Sequence, residues 1–515
     1  MPVSIGLSKA MALRFLVPAF CALVLVGLCT NWTFNLFAPQ FLWKAYNYYF
    51  LAMIDGRLDI PAEAIGKEGG YFNGKAYMYY GLLPALARVV LYPFVDLSHT
   101  PTSLFFVILF TLVGLAFLQT EVNRKLFSNE KYTDGPKLLL WLTTTIVLWL
   151  GSATFIISQN GTIYHEPYAA SLCIFNIFLA RLLKDKFLEG RPTGAAKLLP
   201  YAVLAALAVH TRMPMALSLY LVTGLLMLVV AFKQVGNAKK KYVSTVFYCF
   251  SRYWLSILVL FCGGVSILAL NYVKYGNAVA FMGGNYGYYF LEGFTDRVCS
   301  IVPKGDFYRF FRIIANAYIY ITGDWATHWS LTRWLQTGYG RWEAPMVPLY
   351  LLWAFPLLCL CGGFINILKG LKSPANKLFI LGLCFISSGA LFQLSYPTIT
   401  HRYVAELWSP FGIAMLYVYV TLLAADLKLR SAVVMLLISC IGVVYQLKLA
   451  TTDRYYIEDG PIYDHHNYHY SETDNKYLAS LNNDKIASFM KERKQQKKLA
   501  CQQLRKKSES IQASD

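Results

Sequence analysis

Residues 102–119 read TSLFFVILFTLVGLAFLQ, a stretch without a charged side chain. At 1.5 Å of rise per residue, a helix over it covers about 27 Å, close to the ~30 Å hydrocarbon core of a bilayer. The chain returns to water at Glu121, Arg124 and Lys125. A run of this length satisfies its own backbone N–H and C=O groups only as a helix, so it reads as a transmembrane span. Similar runs lie near 12–30, 138–157, 168–183, 198–211, 214–232, 254–273, 347–368, 378–396, 408–424 and 431–448. The sequence is therefore that of an all-α polytopic transmembrane protein with about 11 spans. Composition agrees: of 515 residues, 57% are hydrophobic and 15% charged, where a soluble domain carries roughly 25% charged residues. Lys9 and Arg14 precede the first run and no small-residue cleavage site follows it, so it is expected to be a retained span. The fifth and sixth runs nearly touch and are expected to form a hairpin broken at Met213-Pro214.

Basic residues orient the spans. Arg124, Lys125, Lys131 and Lys137 lie between the second and third runs, and Arg181, Lys184, Lys186, Arg191 and Lys197 between the fourth and fifth. Lys233, Lys239, Lys240, Lys241 and Arg252 separate the sixth and seventh, and Lys369, Lys372 and Lys377 the eighth and ninth. The alternate short loops hold at most one basic residue each, Arg212 and Arg402 among them. The amino terminus is thus expected in the cytoplasm and the alternate loops outside. Most of the net charge of +19 belongs to these cytoplasmic loops and the tail. Anionic lipid head groups suffice as its partner, and no nucleic acid is called for. Most of the eleven cysteines sit inside apolar runs without CxxC spacing, which excludes a disulfide framework or zinc site on pattern.

Residues 1–450 form the expected transmembrane domain, and 451–515 a polar, basic carboxy-terminal tail with histidines at 465, 466 and 469. Two outer loops are long, 31–101 and 274–346. The first opens with the aromatic stretch Phe34 to Phe50, expected as an interfacial helix over about 36–54. Tyr71 to Gly81 predicts a hairpin turned on Asn73-Gly74. The stretch 79–95 is apolar but interrupted by Pro84, Arg88 and Pro93, and predicts a second interfacial helix. In the second loop, Arg309 and Arg312 mark an expected surface helix. The short outer loops are polar for their size: Tyr164-His165-Glu166, His210-Thr211-Arg212, and His401-Arg402-Tyr403 with Glu406. Singly, each reads as a solvated loop residue. Ionisable groups at span ends are costly against hydrocarbon, so their gathering on one side predicts one outward-facing cleft.

Several segments resemble the GT-C class of polyprenyl-phosphate-sugar glycosyltransferases, which includes protein O-mannosyltransferases and lipid A aminoarabinose transferases. They are Tyr48-Tyr49-x-x-Ala52 with Gly56-Arg57-Leu58, Gly74-Lys75-x-Tyr77 with Pro84-Ala85-Leu86, Thr211-Arg212-x-Pro214, and Arg402-Tyr403 with Pro410. The layout over 1–450 is similar as well: one span, a long first outer loop with interfacial helices, then many spans. That class places an acidic pair at the opening of the first loop, where this chain has Lys44-Ala45. The nearest acids are Asp55 and Asp59, with Glu63 and Glu68 beyond.

The resemblance implies transfer of a sugar from a polyprenyl-phosphate donor to a hydroxyl of a glycan, lipid or protein on the extracytoplasmic face. It implies a multi-pass protein of a bacterial inner membrane or plasma membrane. Such chemistry needs a carboxylate to take the acceptor proton and fixed cations for the departing phosphate. Asp59, Asp55 and Glu166 are the candidate catalytic carboxylates. His165, Arg212, His401, Arg402, Tyr403 and Glu406 are the candidate substrate-binding residues. No metal ligands are assigned, although the chemistry leaves a divalent metal open as cofactor. The competing readings are a secondary transporter, which predicts inverted repeats and mid-membrane polar sites, and a lipid-binding membrane protein without catalysis.

Overall fold

The computed structural model describes residues 7–65, 68–72, 74–127, 134–189, 198–235, 241–279, 308–335, 341–342, 347–369, 374–396 and 398–452, with the isolated positions 495 and 499. The tail histidines lie outside them.

Eight described helices are long and apolar enough to cross a membrane: Ala12–Cys29, Ser103–Phe127, Gly135–Ser158, His165–Lys184, Met213–Val235, Trp254–Tyr275, His401–Ala424 and Leu429–Thr451. Three shorter apolar helices, Leu199–Val209, Ala354–Gly363 and Phe379–Leu394, fall on the remaining predicted runs. The shortening has local causes. The run near 347–368 breaks at Trp353 into Leu349–Leu352 and Ala354–Lys369. The run near 378–396 breaks at Ser387, next to Gly389. A β-carbon there would lie 2.1 Å from the Pro214 carbonyl oxygen, so glycine lets the two backbones touch. The hairpin expected at Met213-Pro214 is present: one helix ends at Val209 and the next begins at Met213, with Pro214 in its first turn.

His165–Lys184 and Gly135–Ser158 are the central helices, each 89% buried. Ser103–Phe127 packs along His165–Lys184, with Gly114 against the Cys173 backbone; a β-carbon would stand 2.7 Å from the Cys173 Cα. Ala12–Cys29, Trp254–Tyr275 and Leu429–Thr451 lie at the periphery and expose Phe20, Phe261 and Leu437. Apolar faces of that extent on several helices suit lipid rather than water.

The first loop folds onto one end of this bundle. Helix Lys44–Ile54 buries Ala45, Tyr46, Tyr49 and Phe50 in a cluster with Ile60, Met78, Tyr80 and Ile163. At eleven residues it covers about 16 Å, half a bilayer core. Strands β1 (Asp59–Ile60), β2 (Gly70–Phe72) and β3 (Lys75–Tyr77) form a small antiparallel sheet in the order β1-β3-β2. Its pairs include Asp59 with Tyr77 and Phe72 with Lys75. Gly74, at φ +72°, takes the left-handed turn position of the expected hairpin.

The helix expected over 79–95 is broken into Leu83–Leu86 and a 3-10 turn, Ala87–Val90. Pro84 lies in the first helical turn, where its missing N–H costs little. Arg88, one of the residues that interrupt this apolar stretch, is fully buried. The surface helix expected around Arg309 and Arg312 starts at Arg312 and ends at Thr322, and its first residue is also buried. This part of the second loop docks on the chain ahead of His401. Asn316 donates to the carbonyls of Leu394 and Tyr396, at 2.8 and 2.9 Å. The Tyr320 hydroxyl donates to Thr400 O at 3.0 Å. Strand β4 (Arg341–Trp342) pairs in parallel with β5 (Thr398–Ile399).

Candidate functional site

Four segments meet at this end of the bundle. The turn between Val209 and Met213 presents Arg212. It is fixed by Thr211, whose hydroxyl donates to Ala208 O at 2.8 Å, and by Leu83 N–H, which donates to His210 O at 3.1 Å. Gly81 makes that contact feasible, since a β-carbon there would lie 2.3 Å from the His210 carbonyl. The 3-10 turn His401–Tyr403 leads directly into helix Val404–Ala424 and presents Arg402 and Glu406. The start of helix His165–Lys184 supplies Tyr168, with Tyr164 just ahead of it. The first loop supplies Glu68, Tyr79 and Tyr80.

Arg212 is the hub. Its Nε donates to Glu406 Oε1 at 3.0 Å, and its Nη2 to the Tyr168 hydroxyl at 2.5 Å and to Gln393 Oε1 at 3.4 Å. Its guanidinium also lies 4.0 Å from the Tyr168 ring centre. Arg402 stands 4.4 Å above the Tyr164 ring and 5.6 Å from that of Tyr403. The Tyr164 hydroxyl reaches past it to donate to Glu68 Oε1 at 2.5 Å, and Tyr79 donates to Glu68 Oε2 at 3.3 Å. Tyr79 also hydrogen-bonds Tyr80. Burial, then the nearby Glu68 charge, push the Tyr80 phenol well above its ordinary range, while Tyr79, Arg212 and Arg402 pull it back. Glu68 and both arginines thus act on one phenol. Glu68, Arg402 and Glu406 are all buried, whereas the Arg212 side chain keeps 17% of its surface open.

The remaining expected residues divide. His165 is buried beside Arg402's partner Tyr164, with its Nδ1 2.7 Å from the Thr162 hydroxyl. His401 and Tyr403 flank Arg402, and the Tyr403 ring stands 6.4 Å from that of Tyr168. Glu166 points elsewhere. Both its oxygens are taken by Arg88, one Nη2–Oε2 contact measuring 2.9 Å, with neither side chain exposed. Arg88 also donates to Asn47 Oδ1 at 3.1 Å and Pro84 O at 2.8 Å. Asn47 in turn donates to Leu97 O and Thr100 O, at 2.9 and 2.8 Å. A carboxylate so held pins the first loop to the bundle, and proton uptake would break the pin. Asp55 and Asp59 lie at the outer edge of the loop. Arg57 pairs with both at 3.2 Å, and Lys75 with Asp59 at 3.3 Å.

The sequence reading named Glu68 only as a distant acid and gave no role to Arg88, Tyr79, Tyr80, Tyr164 or Tyr168. The one local signal was the cluster Tyr77-Met78-Tyr79-Tyr80 directly after the hairpin, which turns those rings back towards Glu68. Among the described residues, no three His, Cys, Asp or Glu side chains gather as a metal site.

No known protein family's sequence profile matches the chain, and no curated protein matches it. Among solved structures, it is similar to the archaeal oligosaccharyltransferase AglB from Archaeoglobus fulgidus in complex with an inhibitory peptide and a dolichol-phosphate. The two are 14% identical with a TM-score of 0.42, over 85% of this chain and 55% of that one. An apo form of the Archaeoglobus fulgidus oligosaccharyltransferase gives 13% identity and a TM-score of 0.47 over the same shares. The chain spans about half the length of those proteins.

Proposed function

We propose that the chain is a membrane glycosyltransferase of the GT-C type, moving a sugar from a polyprenyl-phosphate donor to a hydroxyl acceptor. The observation that carries this reading is the meeting of Arg212, Arg402 and Glu68, from segments far apart in sequence, at one end of a membrane helix bundle. In the reaction, Glu68 takes the proton of the acceptor hydroxyl. The acceptor oxygen bonds to the sugar C1, and the bond from C1 to the phosphate oxygen breaks with its electron pair left on the phosphate. Arg212 and Arg402 meet that charge; a guanidinium stays protonated and matches phosphate oxygens in pairs. Glu406 and Gln393 orient Arg212, and the tyrosine rings offer flat faces to sugar and isoprenoid. The charge pattern of the loops supports an extracytoplasmic site. The acceptor is a glycan, lipid or protein hydroxyl.

This reading moves the base from Asp59, Asp55 and Glu166 to Glu68. Support comes from the short path from Glu68 through Tyr164 to Arg402. The test is transfer by purified protein in nanodiscs, using radiolabelled polyprenyl-phosphate sugars and hydroxyl-bearing acceptors. Label in the acceptor is the expected result. Donor that binds but is never consumed with any acceptor would leave a lipid-binding protein in its place.

A further inference from the structure

The packed pair Ser103–Phe127 and His165–Lys184 carries a second site at its other end. Ser103 and His165 begin their helices at the end that holds Arg402, so the last turns of Ser103–Phe127 and His165–Lys184 lie together at the far end. Between them is a cavity of about 410 Å³. Its apolar part is lined by Ala116, Phe117 and Ile177, and its rim carries Arg124, Arg181 and Lys184 against one carboxylate, Glu121. Arg124 already pairs with Glu121 at 3.0 Å, and Arg181 with the buried Asp185 at 3.2 Å. The Arg181 Nε is buried without a hydrogen-bond partner among the described residues, and Lys184 is exposed.

Cations in the last turn of a helix complement its dipole, which explains their presence but not the apolar cleft above them. Phe117 is 56% exposed at the mouth of that cleft, on a helix that crosses the membrane. A ligand that fills both parts has an anionic head and a hydrocarbon tail. We propose that this cavity binds an anionic phospholipid, with its phosphate at Arg124, Arg181 and Lys184 and an acyl chain along Ala116 and Phe117. The charge complementarity and the continuity of rim and apolar cleft select a lipid over a free phosphate. This site is independent of the transfer reaction.

The test uses full-length protein in neutral detergent, titrated with dioleoyl phosphatidylglycerol and followed by native mass spectrometry. Phosphatidylcholine and soluble glycerol phosphate are the comparison arms. The wild type should retain phosphatidylglycerol in preference to phosphatidylcholine, and millimolar glycerol phosphate should leave it bound. Arg124→Ala with Lys184→Ala should weaken retention about tenfold to thirtyfold, since each basic side chain near a lipid phosphate contributes modestly. Ala116→Trp, which fills the cleft from its exposed side and leaves every cation in place, should weaken it as well. Equal retention of the two lipids, displacement by glycerol phosphate, or unchanged retention in either variant would overturn the proposal.

Discussion

At the scale of single residues, the division of labour among carboxylates decides what each substitution does. Removing a contact to a developing phosphate charge costs on the order of 10²–10³ in rate. Arg402→Ala should therefore lower transfer by about that factor with the protein still folded and inserted. Arg402→Lys should recover only part, because the planar fork is lost. Glu68→Gln should cost about as much, whereas Asp59→Asn, which alters an ion pair at the loop edge, should stay near wild type. Steady-state transfer assays on the four variants check this; a dead Asp59→Asn beside an active Glu68→Gln would return the role to Asp59. Arg212 and Arg402 were legible in the sequence because a cation at a span end has few reasons to be there. Glu68 was not: it follows a Lys and precedes two Gly, like any loop acid, and only folding brings Tyr164, 96 residues away, onto it. The pairing of Glu166 was equally hidden, since its partner Arg88 is 78 residues distant.

At the scale of elements, two devices hold the site in shape. One is the Arg88–Glu166 pair with Asn47, which ties the first loop to the central helix. Breaking a fully buried pair from one side typically costs 3–5 kcal/mol. Arg88→Met should therefore destabilise the protein by roughly that amount, seen as early thermal unfolding in detergent, and Arg88→Met with Glu166→Leu should recover much of it. An Arg88→Met protein as stable as wild type would contradict the pin. The other device is the second loop, whose Asn316 holds the backbone at 394–396 and, through its Oδ1, accepts from His328 Nε2 at 3.3 Å. Burial pushes the His328 imidazole down to about 4 from an ordinary 6.5. The folded state therefore binds its proton less readily than the unfolded chain. The stability this contributes is full above about pH 6.5 and is lost as pH falls towards 4. Unfolding temperature should drop over that window, and less steeply in His328→Gln. The sequence pattern indicated the hairpin at Gly74 because turn chemistry is local. It missed the break in 79–95 because the choice between one helix and two turns depends on Arg88 finding Glu166.

At the scale of the whole molecule, the eleven apolar stretches were readable because span length is set by the bilayer and leaves its mark on composition. Which of them are shortened was hidden, since Gly389 against Pro214 is a contact between distant segments. The orientation expected from the loop charges can be checked directly. In a background without other cysteines, Ser98→Cys should react with an impermeant thiol reagent in intact cells and Lys186→Cys should not. The reverse pattern would put Arg212, Arg402 and Glu68 on the cytoplasmic side. The central claim is that these three residues receive the phosphate-linked sugar, and a cryo-electron microscopy structure with a bound polyprenyl-phosphate sugar tests it most directly. The account predicts phosphate oxygens within hydrogen-bond distance of the Arg212 and Arg402 guanidiniums, with the sugar C1 turned towards Glu68. A phosphate seated instead at Arg57 and Lys75, beside Asp59, would contradict it.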